Sequence, residues 1–251
     1  MNKLILSLAV SGILMSNVTL ADNFSDSIKK AMKSEIRTDK EKLRDRNRKP
    51  VQTLEFFGIK EDMKVLELIP GGGWYTKLLA PALAEKGQYY VSVGTKRVSD
   101  GLLNKPGFEK AKILSPKTSM NYNRELGDYE VNMVDFKVKD LDAVLTFRNY
   151  HNFIESSRKR LNKAAFDALA PGGIYGVIDH TRRHMQKEND ENGRRFDPVM
   201  AIKEIQQAGF ELVDYSTLHY RADDELRYEV GRKSVTGNTD RFTLLFKKPT
   251  K

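Results

Sequence analysis

A short apolar run that ends in three consecutive glycines constrains the fold of this chain more than any other feature. Residues 65–69 are apolar apart from Glu67, and Pro70 and glycines 71–73 follow directly. A run of this length bounded by turn residues is typical of a strand buried on both faces of a sheet. Glycines allow the backbone to approach a ligand, and a helix N-terminus after them offers unpaired N–H groups. The sequence therefore predicts a ligand-binding turn between strand and helix, with an unliganded tight turn as the alternative.

Glu67 lies near the end of this strand, where its carboxylate can accept hydrogen bonds from a ligand amine or from the glycine loop. The turn does not meet the dinucleotide fingerprint G-x-G-x-x-G, because the sixth position counted from Gly71 is Thr76. It also lacks the lysine of a P-loop. The pattern therefore argues against an enzyme that binds a nicotinamide dinucleotide or ATP through this turn.

Downstream of the turn, apolar strands alternate with helical segments. This alternation implies βαβ units and a mainly parallel sheet in an α/β domain. Residues 94–128 are rich in Gly, Pro and polar residues, so we expect loops there and at most one short helix. Pro81 should kink the first helix or mark its start. The predicted helices cover residues 74–85, 155–169 and 198–208, and the predicted strands cover 65–69, 89–93, 131–134, 142–147, 174–178, 210–215 and 241–247.

A polar cluster, Arg148, Asn149 and His151, follows one of these buried strands directly. In an open α/β sheet the ligand crevice lies beyond the carboxyl ends of the strands, so the cluster should face it. His151 is a candidate general base, because an imidazole titrates near neutral pH. Arg148 is suited to bind a substrate carboxylate or phosphate. We assign a catalytic role to these three residues.

Asp179 and His180 end the neighbouring predicted strand and are candidates for binding the substrate. Two simpler interpretations stay open, namely that Asp179 pairs with Arg148 and that His180 caps a loop. A metal site formed by His151, Asp179, His180 and His184 is a further alternative, because imidazole and carboxylate suit several divalent ions.

These sequence segments, in this order, resemble those of a known protein family. Residues 65–76 resemble motif I of the class I methyltransferases that depend on S-adenosylmethionine. Residues 141–152, 169–173, 177–180 and 240–242 resemble a group of exported bacterial proteins described as predicted methyltransferases, and the resemblance extends over residues 44–249. It implies a Rossmann-like seven-stranded sheet with helices on both faces and an antiparallel last strand. It also implies that the cofactor is S-adenosylmethionine, bound by Glu67, Gly71, Gly72, Gly73 and Tyr75.

Two positions depart from the family pattern. Ile69 stands where motif I usually has its first glycine. The second predicted strand runs Ser92-Val93-Gly94-Thr95 and lacks the acidic residue that binds the ribose hydroxyls in the family. Hydroxyls of Ser92 or Thr95 are the available substitutes, and Asp135 is a candidate to lie near the adenine.

Residues 1–21 have the features of a secretory signal: Lys3, an apolar run over residues 4–14 and small residues at 19–21. The run is shorter than the roughly 20 residues that span a bilayer, so a cleaved signal is favoured and a permanent membrane anchor is the alternative. The chain contains no cysteine, which suits an oxidising compartment. We expect export to a periplasm or the medium, with no stable membrane insertion after cleavage. We further expect a basic helical segment over residues 22–50 and the α/β domain over residues 51–251.

The charge of the chain is basic but dispersed. It carries 43 Lys and Arg against 34 Asp and Glu, a formal net charge of +9. Because both signs alternate along most of the chain, a solvated surface is favoured over a nucleic-acid groove. The densest basic stretch, residues 29–49, contains mixed-sign neighbours and predicts an exposed helix. Attraction of that stretch to anionic lipid or cell-wall polymer is the alternative.

These observations predict a methyltransferase that transfers a methyl group from S-adenosylmethionine to a small molecule held by Arg148, Asn149 and His151. Two other classes of function stay open. One is a non-catalytic exported protein that keeps the fold to bind a different ligand. The other is a metal-dependent hydrolase or lyase that uses the histidine-rich edge of the sheet.

Overall fold

The computed structural model describes residues 23–114, 118–132 and 134–250. The predicted signal sequence, residues 1–21, lies outside them. Across the described ranges, no helix combines the length and the apolar character needed to cross a membrane. The helices are α1 (Asn23–Met32), α2 (Asp39–Lys42), α3 (Asp45–Arg48), α4 (Pro50–Phe56), α5 (Thr76–Leu83), α6 (Lys96–Gly101), α7 (Glu155–Ala168) and α8 (Pro198–Gln207). The strands are β1 (Lys64–Leu68), β2 (Gln88–Ser92), β3 (Lys112–Leu114), β4 (Ser119–Asn123), β5 (Asp128–Asn132), β6 (Leu141–Phe147), β7 (Leu169–His180), β8 (Glu211–Tyr215) and β9 (Arg241–Lys247).

Seven of these strands form one sheet in the order β3-β2-β1-β6-β7-β9-β8. Neighbouring strands from β3 to β7 are parallel, whereas β9 is antiparallel to both β7 and β8. The direction in which strands are added reverses at β1, because β2 and β3 lie on one side of it and β6 on the other. The predicted Rossmann-like, mainly parallel sheet of seven strands is confirmed, including its antiparallel last strand.

The apolar run of β1 serves two cores at once. Val65 belongs to the core that α1, α4, α5 and α6 cover, whereas Leu66 and Leu68 belong to the core that α7 and α8 cover. Successive side chains of a strand point to opposite faces, so a sheet covered on both sides needs an unbroken apolar run. The prediction of helices on both faces is confirmed. Pro81 lies inside α5 and does not mark its start.

Three strands fall where the sequence predicted loops or a displaced strand. β3 has only three residues, and β4 carries the polar sequence Ser-Met-Asn-Tyr-Asn with most of its side chains exposed. The strand predicted over residues 131–134 is β5, which begins earlier, at Asp128, and ends at Asn132. It pairs with β4 in a hairpin that is separate from the seven-stranded sheet. Short strands with polar side chains show no period-2 apolar alternation, which explains why the pattern missed them. The short helix expected in this region is present as α6.

The prediction of one exposed helix over residues 29–49 is wrong. Three short helices occupy this segment, and the Thr38 side chain begins a new one by forming a capping box with Glu41. The side chains of Arg37 and Arg48 are buried. Arg37 forms an ion pair with Asp45 and donates a hydrogen bond to the Met32 carbonyl. This segment is therefore packed on the domain, with α1 against α5.

Candidate functional site

A cleft of about 1260 Å³ opens beyond the carboxyl ends of β1, β2 and β6. Its walls include Ile69 and Gly71 after β1, Gly94 after β2, and Asn149 and His151 after β6. The β4–β5 hairpin contributes a further wall. Ligand crevices of open α/β sheets lie at this kind of strand-order reversal. The structure therefore brings Gly71 of the glycine turn, Asn149 and His151 into one cavity, whereas Arg148 lines a smaller pocket beside it.

The backbone is strained at the ends of three adjacent strands that border this cleft. Ile69, Val93 and Arg148 have φ values of 53°, 62° and 61°. The left-handed region is unfavourable for side chains with a Cβ, above all for β-branched Ile and Val, and costs about 1–3 kcal/mol per residue. Ile69 thus keeps a glycine-like backbone conformation at the position where motif I usually has glycine. Strain of this kind concentrates at functional sites.

The three glycines of the turn have different surroundings. A Cβ added to Gly71 or Gly72 would meet no atom within 4 Å, so both leave open space for a ligand. A Cβ on Gly73 would lie 2.7 Å from Leu102 and 3.0 Å from Val98. Gly73 is therefore required by the close packing of the turn against α6 and its following residues, and it does not line the cleft.

Glu67 is fully buried beneath the turn. Its carboxylate accepts hydrogen bonds from the hydroxyls of Thr76, at 2.8 Å, and Tyr89. Burial raises the pKa of Glu67 to about 7, although these two hydrogen bonds and the charge of Arg48 act to lower it. Thr76 and Tyr89 thus donate the hydrogen bonds that we expected the glycine loop to donate to Glu67. Neither residue was identified from the sequence.

The Glu67→Gln variant is expected to be more stable than the wild type above neutral pH and equally stable in mild acid. In the unfolded chain Glu67 titrates at about 4.5, so the folded state binds an extra proton between that pH and about 7. The stabilisation that comes from this extra proton is full below the unfolded-state pKa of about 4.5, and it is lost as pH rises through the folded-state pKa of about 7. Glutamine avoids this loss, which amounts to about 3 kcal/mol near pH 8.

Urea unfolding at about pH 5 and about pH 8 would measure this difference. The exposed Glu225→Gln variant is the control and should follow the wild type at both pH values. If Glu67→Gln is no more stable than the wild type near pH 8, Glu67 ionises normally in the folded protein and the burial argument is wrong.

Asn149 holds two of the strand ends together. Its side-chain amide donates hydrogen bonds to the carbonyl oxygens of Ile69, at 3.1 Å, and Phe147, at 2.9 Å. These bonds tie the strained turn after β1 to the end of β6. Asn149 lies at the cleft as predicted, and its amide fixes the backbone there rather than projecting freely toward a ligand.

His151 forms a pair with Asp179. The Nδ1 atom of His151 lies 2.6 Å from Asp179 Oδ1, and the backbone N–H of His151 donates to Asp179 Oδ2 at 2.8 Å. Asp179 is completely buried and lines no part of the cleft, so the prediction that it binds substrate is replaced by a positioning role. A carboxylate on Nδ1 favours the tautomer that leaves Nε2 free to accept a proton. This is the arrangement of a general base held in place by an acid.

His180 and His184 point to other partners. His180 is buried, its Nδ1 lies 2.8 Å from Thr239 Oγ1, and it does not line the cleft. Burial, together with nearby arginine charges, lowers the pKa of His180 well below its usual value. His184 pairs with Asp197. Across the described residues, no group of three His, Asp or Glu side chains is arranged to hold a metal ion, and the four residues of the alternative metal site are no exception. The alternative in which Asp179 pairs with Arg148 is not observed, since Asp179 pairs with His151.

A second pocket of about 300 Å³ adjoins the cleft. Tyr75 lines it and stacks on Phe147, with the ring centres 3.6 Å apart. Trp74 lies beside Tyr75, and the guanidinium of Arg48 lies 4.3 Å from the centre of the Trp74 ring. Tyr75 therefore borders this pocket rather than the main cleft. Arg48 could not be identified as a pocket residue from the sequence, because it lies in a stretch of basic residues that are mostly exposed.

The residues that could replace the missing ribose-binding acid differ in whether they reach the cleft. The Ser92 hydroxyl is buried and donates to the Leu114 carbonyl at 2.8 Å. Thr95 and Asp135 do not line the cleft, and Asp135 is exposed and ion-paired with Lys137. Asp100, on α6 shortly after β2, does line the cleft, although its exposed carboxylate also pairs with Lys96 at 2.6 Å. The acid nearest to the missing family position is therefore one helix turn further along the chain.

No protein-family model matches the sequence, and no curated protein matches it either. Solved structures do match. A SAM-dependent methyltransferase from Aquifex aeolicus superposes with a TM-score of 0.56 at 16% identity, over 89% of this chain and 97% of that one. The chain has the Rossmann-like fold of these methyltransferases.

Two further matches show the range of that fold. A TehB-like SAM-dependent methyltransferase from Corynebacterium glutamicum has a TM-score of 0.51 at 12% identity and covers 79% of this chain and 86% of its own. The 4+2 cyclase SpnF has a TM-score of 0.55 at 15% identity and covers 82% of this chain and 81% of its own. Because one fold carries differently named reactions, the function of this chain has to be argued from its site.

Proposed function

We propose that the protein is a methyltransferase that uses S-adenosylmethionine to methylate a small molecule. The observation that carries this proposal is the cleft at the strand-order reversal, where Gly71 leaves open space beside a turn whose backbone is strained. The similarity in fold to structures titled as SAM-dependent methyltransferases supports it.

The residues at the turn fit the cofactor by their geometry. Gly71 and Gly72 offer backbone that a bulky ligand can approach, because no atom lies within 4 Å of a Cβ added to either. Asp100 offers a carboxylate at the end of the cleft that α6 borders, where ribose hydroxyls would find an acceptor. Bound S-adenosylmethionine supplies an electrophilic methyl group. Binding and orientation of the acceptor beside it are the work of the chain itself.

His151 is the proposed general base for an acceptor hydroxyl or amine. Its Nδ1 is engaged by the buried Asp179 carboxylate, so Nε2 is the nitrogen available for the acceptor proton. Asn149 keeps the two strand ends that border the base at a fixed separation. Positioning of this kind supplies much of the rate enhancement in transfer reactions.

The size of the cleft supports a small-molecule acceptor. Single-ligand pockets have volumes of about 300–1,000 Å³. The cleft, at about 1260 Å³, exceeds that range and has room for a cofactor and an acceptor together.

Calorimetry with the purified protein tests cofactor binding. We expect saturable heat with S-adenosylmethionine and S-adenosylhomocysteine, and an affinity loss of about tenfold or more in Gly71→Ala, whose methyl group would enter the cleft. Gly58→Ala is the matched control, because Gly58 also has a positive φ and open space and does not line the cleft. No heat at millimolar cofactor, together with a co-purifying ligand that is not a nucleoside, would instead indicate a non-catalytic binding protein.

We also propose that the protein acts outside the cytoplasm, on the strength of the signal-like features of residues 1–21. Export would require a supply of the cofactor beyond the compartment that makes it. N-terminal sequencing of the protein from an exported fraction should start at Asp22, and an intact Met1 would contradict cleavage.

A further inference from the structure

The second pocket collects arginines that have no acidic partners. Arg48 and Arg148 line it, and Arg241 lies behind it at a small adjoining cavity that Arg48, Arg148 and Tyr75 also border. Arg48 and Arg241 have relative exposures of only 8% and 6%. In the part of the chain that the structure describes, none of the three forms an ion pair.

Their guanidinium groups are also poor in hydrogen bonds. Arg241 donates to the Asn47 carbonyl at 2.9 Å, but its Nε atom is buried without a partner, and so is the Nε atom of Arg48. Among the described residues, the Arg48 side chain has no hydrogen-bond acceptor and contacts the face of Trp74 instead. Burial, followed by the charges of Arg148 and Arg44, lowers the pKa of Arg48 to about 9.

This cluster is held in place by neutral groups. His219 is buried, with its Nε2 atom 3.1 Å from the Arg48 carbonyl oxygen and its Nδ1 atom 2.7 Å from Thr243 Oγ1. Burial lowers the pKa of His219 to about 4, so this ring adds no charge at neutral pH. Glu41 and Glu67 also line the pocket, but their carboxylates have partners of their own, as does that of Asp179. Glu41 pairs with Lys77, and Asp179 pairs with His151. Glu67 is held by Thr76 and Tyr89.

Buried cations in proteins are normally paired or coordinated, so a desolvated cluster of like charges needs a counter-ion. Guanidinium groups bind carboxylate and phosphate through paired hydrogen bonds. We propose that this pocket is an oxyanion site and that it takes a carboxylate or phosphate group of the methyl acceptor. The assignment rests on the proposed methyltransferase function, because it names the substrate class of that activity.

The position and the charge of the pocket distinguish the acceptor from the cofactor as the source of the anion. Ile69, Gly71, Arg97 and Asn149 line both the pocket and the cleft, so a group in the pocket lies next to the proposed cofactor site. S-adenosylmethionine carries one carboxylate together with an ammonium and a sulfonium group, and its net charge is positive. Its carboxylate can pair with a guanidinium, but its ammonium and sulfonium groups would raise the total positive charge of the site, whereas an anionic acceptor would lower it.

Calorimetric titration with inorganic phosphate and with succinate, at constant ionic strength set with sodium chloride, tests the site. We expect saturable binding by the wild-type protein and an affinity loss of at least about tenfold in Arg48→Met and in Arg148→Asn. Asparagine is chosen because it tolerates the left-handed backbone of residue 148. Arg46→Met is the matched control, since Arg46 is exposed two residues away and does not line the pocket.

Thermal unfolding without added anion checks that the variants fold. Arg48→Met should have a Tm equal to or above that of the wild type, because an apolar residue of similar length replaces an unpaired buried charge. Absence of saturable anion binding by the wild type, or an equal loss in Arg46→Met, would overturn the oxyanion site.

A second titration in saturating S-adenosylmethionine identifies the source of the anion. Phosphate binding that persists or strengthens supports an acceptor site. Complete displacement of phosphate by the cofactor would assign the pocket to the cofactor carboxylate and overturn the acceptor assignment. Phosphate binding through Arg48 in a protein that binds no cofactor would support the oxyanion site and overturn its link to methyl transfer, so the two failures are distinguishable.

Discussion

The Asp179→Asn variant is expected to be less stable than the wild type by about 3 kcal/mol. The Asp179 carboxylate has no solvent exposure and accepts three hydrogen bonds, from the backbone N–H of His151, the ring of His151 and the backbone N–H of His180. Asparagine offers one acceptor oxygen, and its amide nitrogen would face an N–H group. At least one buried donor would therefore lose its partner.

Urea unfolding monitored by circular dichroism measures this effect, provided that the denaturant slope m is unchanged. Asp167→Asn is the control, because it makes the same chemical change in an exposed pair with Lys163 on α7. Exposed pairs of this kind contribute about 0–1 kcal/mol. Similar losses in the two variants would show that the carboxylate of Asp179 carries no special weight in the fold.

The His151→Gln variant is expected to lose about 10²- to 10⁴-fold in kcat while its affinity for S-adenosylmethionine changes by less than about threefold. Glutamine keeps a polar side chain of similar length but cannot accept and release a proton near neutral pH. The proposed base would therefore be lost without a change in the glycine turn. The assay follows transfer of an isotope-labelled methyl group to a panel of small carboxylates and phosphates.

His184→Gln is a closely matched control for this experiment. His184 also has its Nδ1 atom against a carboxylate, 2.9 Å from Asp197 Oδ2, but it does not line the cleft. Its variant should retain the wild-type kcat within about twofold. If His151→Gln keeps more than about a tenth of the wild-type rate, His151 is not the base, and a transfer that needs only positioning would account for the activity.

The fold could be predicted from the sequence because its strongest signals are local. β1, β6 and β9 contain runs of apolar residues long enough to be recognised alone, and α7 and α8 end where Gly or Pro follows within a few residues. β3 and β4 could not be predicted, since a three-residue strand and a polar hairpin strand gain their stability from pairing partners rather than from their own pattern.

The candidate site was predicted in part. The sequence placed Asn149 and His151 at the carboxyl end of β6, and they line the cleft. It could not show that Asn149 would bond to the backbone of the turn after β1, because that contact depends on the pairing of β1 with β6. Nor could it separate Gly73, which packs against α6, from Gly71, which faces the cleft.

The sequence alone determined the apolar strand that ends in the glycine turn, since a strand buried on both faces and a turn without side chains are written into consecutive residues. Tertiary structure decided what lies around that turn. Asp179 meets His151 only because β6 and β7 are neighbours. Arg48, Arg148 and Arg241 meet only because the end of α3, the end of β6 and the start of β9 come together in the fold. Local periodicity reports which face of an element is apolar, whereas the order of strands decides which charges become neighbours.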